Sequence, residues 1–219
     1  MSGLFARLKD AAPAEWRGHT EHEFVRKLGD GTLPEASFRH YLVQDYLFLI
    51  QFARAWGLAV FKADKLVDIR DALAALRAIV DTEMGLHVAY CREWGIDEAS
   101  IAATPEAAAT LAYTRFVLER GLAGDLLDLH VALAPCTVGY AEIGAALAPR
   151  LRQNHPYGAW IEMYAGEEYQ KIAREAAQNL DRLFALRAGE GRFPSLAGTF
   201  AAACRLEASF WQMGLDLSS

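Results

Sequence analysis

Three reactive side chains interrupt stretches that are otherwise apolar, and their spacing turns each of them inward. Cys136 lies in ALAPCTVGY, four residues before Tyr140, so the thiol and the phenol share one helix face. Pro135 precedes the cysteine, and a helix interrupted there would leave backbone N–H groups near the sulfur. Such a setting lowers a thiol pKa and favours the nucleophilic thiolate. A free cysteine more commonly just packs, and Cys91 and Cys204, which lack that context, are assigned to the core.

Asp45 falls on the stripe Phe38, Tyr41, Leu42, Asp45, Phe48, Leu49, Phe52, Trp56, Ala59 and Val60, at steps of three and four. Glu207 falls on a second stripe, with Leu196, Phe200, Ala203, Phe210 and Trp211. Burying a carboxylate without partners costs several kcal/mol, so each acid is either paired structurally or held for a ligand. For Glu207 the structural partner would be an arginine such as Arg54 or Arg205. Tyr113, and Tyr164 in PYGAWIEMYAGEEY, sit at inward phases beside Phe116 and Trp160 and could wall a flat pocket or simply fill the core.

Other chemistries find little support. Glu83 and His87 are four apart and could face a common ion, but the Glu-x-x-His pairs of carboxylate-bridged di-iron sites do not occur. His19 and His22 lie where a helical oxygenase could place a haem ligand, although lone histidines more often bond structurally. GxGxxG, P-loop and GxSxG motifs are missing as well, which disfavours nucleotide binding and serine hydrolysis. With 28 acidic and 22 basic residues the net charge is −6, offering no attraction to nucleic acid or to an anionic membrane surface. Three scattered cysteines make no disulfide framework, no secretory signal is visible, and the longest apolar stretch, near YLFLIQFARAW, is too short to span a bilayer. A cytoplasmic protein acting on a small molecule is the expectation.

The elements that must position these residues are helices. Alanine, leucine, glutamate and arginine dominate while β-branched and aromatic runs are scarce, so the fold class is all-α, a single-domain bundle over residues 1–219. The pattern gives about seven helices: a short amphipathic segment at Leu4–Lys9, then Pro13 to about Leu28, Pro34 to about Ala63, and Lys65 to about Trp94. Pro105 is placed as a first-turn proline for a helix ending at Gly121. Gly124–Arg150 follows, with a kink or break expected at Pro135, then Pro156 to Arg187 and Pro194 to Leu217.

Five ordered blocks resemble the TenA, or thiaminase II, family: DGTLPEASFRHYLVQDYLFLIQFARA, EMGLH, LAPCTVGYAEIG, WIEMYAGEEY and LEASFWQMG. That resemblance implies a haem-oxygenase-like helical fold without haem or other cofactor, usually a homotetramer. It further implies hydrolysis of 4-amino-5-aminomethyl-2-methylpyrimidine to the hydroxymethyl pyrimidine and ammonia, a thiamin-salvage step, and many members also cleave thiamin. By position, Cys136 is similar to the family's nucleophile, Glu207 to its proton-shuttling acid, and Asp45 to the acid that binds the aminopyrimidine edge. Tyr113, Tyr140 and Tyr164 match pocket tyrosines, and Phe210 matches an aromatic packed on the ring. Phe48 departs from the pattern, since some members carry there a tyrosine whose hydroxyl assists the cysteine; either a neighbouring tyrosine such as Tyr46 or Tyr113 compensates or the thiol is less activated. Thr137 and Val138 are also smaller than the residues usual after the cysteine. A metal- or haem-dependent oxygenase on the same scaffold and a non-catalytic pyrimidine-binding protein stay open as alternatives.

Overall fold

In the computed structural model, which describes residues 3–219, every regular element is helical. In chain order these are α1 (Leu4–Ala11), α2 (Pro13–Thr20), α3 (Glu23–Asp30), α4 (Glu35–Lys62), α5 (Leu66–Arg77) and α6 (Met84–Glu93). Then come α7 (Glu98–Ala102), α8 (Ala108–Ala123), α9 (Leu126–Leu147), α10 (Gly158–Ala165), α11 (Glu167–Arg187) and α12 (Phe193–Asp216). A π-helical turn, Ala78–Glu83, joins α5 to α6. The chain forms two compact units, the first made of residues up to Leu33 with His130–Trp211, the second of Pro34–Leu129 with Gln212–Ser219.

Local side chains divide what periodicity reads as longer helices. The expected Pro13–Leu28 helix is two, because His22 leaves helical geometry and its Nδ1 accepts the Phe24 N–H, capping α3. Gly31, at φ 71°, then ends α3 in the left-handed conformation that glycine adopts without strain. The expected Pro156–Arg187 helix breaks at Gly166, the N-cap of α11, and Gln170 donates to the Tyr164 carbonyl that the end of α10 leaves over. Asp97 accepts the Ser100 N–H at 2.7 Å and starts the five-residue α7, which has no counterpart in the sequence reading.

Two proline expectations also change. Pro105 stands outside α8, whose first turn is organised instead by Gln44 of α4: its Oε1 accepts from the Ala107 N–H at 2.9 Å and from the Thr110 hydroxyl at 2.8 Å, while its Nε2 donates to the Pro105 carbonyl at 3.0 Å. α9 runs unbroken through Pro135. Among the described residues it is also, with the turn that follows it to Arg150, the helix long and apolar enough by composition to cross a membrane, a property expected of no stretch; 78% of its most apolar window is buried within the protein, as in a core helix.

The inward stripes hold. On α12, Leu196, Phe200, Ala203, Glu207, Phe210 and Trp211 are all buried, each large apolar side chain contributing about 1.5–3 kcal/mol. On α4 the stripe is buried apart from Val60, which is half-buried, and every residue from Gln44 to Leu49 is buried, so this helix is covered on more than one face.

Candidate functional site

In the first unit, α9 carries Cys136 and Tyr140 one turn apart, both buried. Tyr140 is the hub of an aromatic wall: its ring centroid lies 5.0 Å from Tyr164, 5.9 Å from Trp160 and 5.2 Å from Trp211. Gly144 permits this arrangement, since a Cβ there would stand 2.6 Å from the Tyr164 backbone. On α12, Glu207 is 1% exposed and Phe210 is buried beside Trp211. The arginine partner considered for Glu207 is engaged elsewhere, Arg205 with Glu15 at 3.5 Å and Arg54 with Gln51 at 3.0 Å. Beside Glu207 instead is His19, 3.9 Å away and fully buried.

His19 of α2 is not a haem-type ligand in its packing. It accepts from the Trp211 indole at 3.1 Å and donates to the Pro135 carbonyl at 3.2 Å, and burial pushes its pKa down to about 3. The bond to Pro135 reaches the residue immediately before Cys136, and Gly139 makes room for it, because a Cβ at that position would lie 2.3 Å from His19 Nε2.

In the second unit, Asp45 is buried on α4 with both its hydrogen bonds on Oδ2, from the Tyr41 hydroxyl at 3.1 Å and from His87 Nε2 at 2.5 Å. Phe48, one turn further along, packs against Phe52 at 5.3 Å and against Tyr113 of α8 at 5.0 Å. Tyr46 is committed to Glu98, to which its hydroxyl donates at 2.9 Å, within a cluster formed with Leu47, Cys91 and Ile101. It is therefore not available to replace the hydroxyl that Phe48 lacks. Cys91 and Cys204 are fully buried, and burial pushes both thiols up, Cys91 to about 11.

The structure thus gathers Cys136, Tyr140, Tyr164, Glu207 and Phe210 in one unit, and Asp45, Phe48 and Tyr113 in the other. Sequence reasoning named His19 and Trp211 but not the hydrogen bonds that join His19 to Trp211 and to Pro135, and it missed Gln44 and the bond from His87 to Asp45. A common ion between the Glu83 and His87 side chains is not what His87 serves, since its Nδ1 donates to the Glu83 backbone carbonyl. Among the described residues, no group of three or more His, Cys, Asp or Glu side chains could hold a metal ion.

The profile of the TENA/THI-4/PQQC family matches residues 10–217. The chain belongs to that family. An aminopyrimidine aminohydrolase from Halalkalibacterium halodurans is 37% identical over 213 residues, which cover 96% of this chain and 95% of that protein. The crystal structure of a TenA family transcription regulator from Silicibacter sp. TM1040 has a TM-score of 0.92 at 45% identity, covering 97% of this chain and 96% of that one. A Shewanella denitrificans domain with a haem oxygenase-like fold matches at a TM-score of 0.76 and 12% identity, over 97% of this chain and 92% of that one. At that identity only the fold is shared, and it is the all-α, haem-oxygenase-like fold that the resemblance implies. The five sequence blocks and the family match agree, so the TenA assignment stands on both.

Proposed function

We propose that this TenA-family chain is a thiamin-salvage hydrolase that converts 4-amino-5-aminomethyl-2-methylpyrimidine and water to the hydroxymethyl pyrimidine and ammonia. The observation that carries the reading is the buried Cys136 turn with Tyr140 beside it, in a chain 37% identical along nearly its whole length to an aminopyrimidine aminohydrolase. The Cys136 thiolate adds to the pyrimidine ring, forming a C–S bond, while Glu207 delivers a proton to a ring nitrogen. The ring's electrons then expel the protonated amine from the exocyclic methylene as ammonia. Water adds to that carbon, the C–S bond breaks, and the thiolate and the proton return to the protein.

In this reading Asp45 accepts from the N–H edge of the aminopyrimidine, with Phe48, Phe210 and the tyrosines Tyr113, Tyr140 and Tyr164 as ring-packing and polar wall. Activity on the formylated precursor or on thiamin belongs to the same chemistry with a different leaving group. The match over residues 10–217 includes parts of both compact units and supports one TenA-like domain. A cytoplasmic homotetramer working without a cofactor is the accompanying proposal. Its oligomeric part is supported by apolar side chains left in solvent on the second unit, where Phe61, Leu66, Val67 and Val80 are all exposed.

Formation of the hydroxymethyl pyrimidine tests the reading, measured with ammonia as co-product from the aminomethyl pyrimidine, formamide from its formylated form and the thiazole from thiamin. Cys136→Ser is expected to abolish product formation while the melting temperature stays within a few degrees of wild type. Undiminished formation by that variant would remove Cys136 from the mechanism.

A further inference from the structure

His87 has no role in the chemistry above, yet it is fully buried and bonded to Asp45. Both of its ring nitrogens meet acceptors: Nδ1 lies 2.8 Å from the Glu83 backbone oxygen and Nε2 lies 2.5 Å from Asp45 Oδ2. A neutral imidazole carries one N–H, so donating to both partners requires the imidazolium. Burial opposes that charge, but Asp45, with Glu83 adding to it, holds the His87 pKa above its ordinary value. The π-helical turn Ala78–Glu83 ends at the residue whose carbonyl His87 grips, immediately before α6. Such turns are rare and recur at functional sites.

The bonds to Asp45 are asymmetric. Tyr41, one turn earlier on α4, donates to the same Oδ2 as His87, and neither donor occupies Oδ1. Two donors on one oxygen, coming from α4 and α6, fix the rotation of the carboxylate plane.

We propose that His87 is a positioning residue for Asp45: with Tyr41 it holds Oδ2 so that Oδ1 is presented to the exocyclic N–H of an aminopyrimidine. The proposal rests on the reading of Asp45 as the acid that binds the aminopyrimidine edge, and it names the specificity of that acid. A ring bearing an amino group donates to Oδ1, whereas the matching 4-oxo ring sets a carbonyl oxygen against a held carboxylate and is rejected.

The test is calorimetric binding of 4-amino-5-hydroxymethyl-2-methylpyrimidine, the reaction product, together with KM and kcat for the aminomethyl substrate. His87→Ala is expected to weaken product binding and raise KM about tenfold or more, with a smaller change in kcat, as loss of a charged donor does. His87→Gln, whose amide can donate at the Nε2 position, recovers most of that loss. In an Asp45→Asn background the His87→Ala change costs nothing further, since its effect runs through the carboxylate. Unchanged binding in His87→Ala, or a loss that persists in full in the Asp45→Asn background, would overturn the proposal. If His87→Ala does not fold, Tyr41→Phe carries the test, with a several-fold weakening expected in the wild-type background and none beside Asp45→Asn. Equal effects in both backgrounds refute it. Wild-type protein that binds the product but releases no ammonia ends the hydrolase reading and leaves the binding test legible; protein that binds no aminopyrimidine ends both.

Discussion

Trp211 donates its indole N–H to Nδ1 of His19 at 3.1 Å, while Nε2 of the same ring lies 3.2 Å from the Pro135 carbonyl. An indole nitrogen only donates and a carbonyl only accepts, so His19 carries one proton, on Nε2, and is neutral. Its 3.9 Å approach to Glu207 is accordingly not an ion pair. His87 is the converse case, with an acceptor at each ring nitrogen and, although burial opposes it, a pKa held above the ordinary value by Asp45 and Glu83. Two equally buried histidines have pKa values moved in opposite directions, and their hydrogen-bond partners decide which.

The neutral state of His19 gives stability an acid limb. Its pKa is about 3 in the folded protein and near 6.5 unfolded, so between those values the unfolded chain binds the extra proton. Stability therefore falls as pH drops from about 6.5 towards 3, by several kcal/mol at about 1.4 kcal/mol per unit. His87, with its pKa raised, works in the other direction: its stabilisation is complete below about 6.5 and is lost as pH climbs through the folded value. Thermal melts from pH 4 to 7.5 should show His19→Gln, which keeps a donor for Pro135 but cannot titrate, with a shallower acid slope than wild type. Parallel slopes would show that His19 is not the group responsible.

The stripes on α4 and α12 were legible because a period near 3.6 is written in the residues themselves, and with it the inward direction of Asp45 and Glu207. Helix boundaries set by one side chain were not: His22, Asp97 and Gln170 act through one or two hydrogen bonds each, which leave no periodic trace. The partners of Asp45 and His19 were hidden for another reason. His87 lies 42 residues from Asp45, and Trp211 lies 192 from His19, so no local spacing links them. The family blocks supplied the proposed site residues that packing alone would have assigned to the core.

Two glycines in helices should respond oppositely to alanine. At Gly139 the new Cβ would meet His19 Nε2 at 2.3 Å, and His19, fully buried, has nowhere to retreat. Gly139→Ala is expected to cost about 2–4 kcal/mol, through overpacking and the loss of the bond to Pro135. At Gly198, on the exposed side of α12, a Cβ meets nothing within 4 Å, so Gly198→Ala should gain about 0.5–1 kcal/mol of helix stability. Urea unfolding midpoints that move in the same direction for both would contradict the packing seen around His19.

Gln44 holds the start of α8 with one amide that satisfies three groups, the Ala107 N–H, the Thr110 hydroxyl and the Pro105 carbonyl. Gln44→Ala should destabilise the protein by about 2–4 kcal/mol, since buried polar groups lose their partner. Gln44→Glu keeps the acceptor and sets a second oxygen against the Pro105 carbonyl, so it should also destabilise while preserving slow hydrogen exchange at Ala107. Fast exchange at Ala107 in the glutamate variant would show that the side-chain oxygen is not what holds that N–H.

Tyr46 separates the two ways in which the missing hydroxyl at Phe48 could be made good. Its own hydroxyl is already given to Glu98 of α7, and burial together with that bond raises its pKa. Deprotonating Tyr46 beside Glu98 would set two negative charges together, which disfavours any part for it in activating a thiol. Tyr46→Phe should therefore leave ammonia release within about twofold of wild type, while removal of one hydrogen bond lowers stability by about 1 kcal/mol. A tenfold fall in kcat with stability unchanged would mean that this hydroxyl leaves Glu98 during turnover and serves the chemistry.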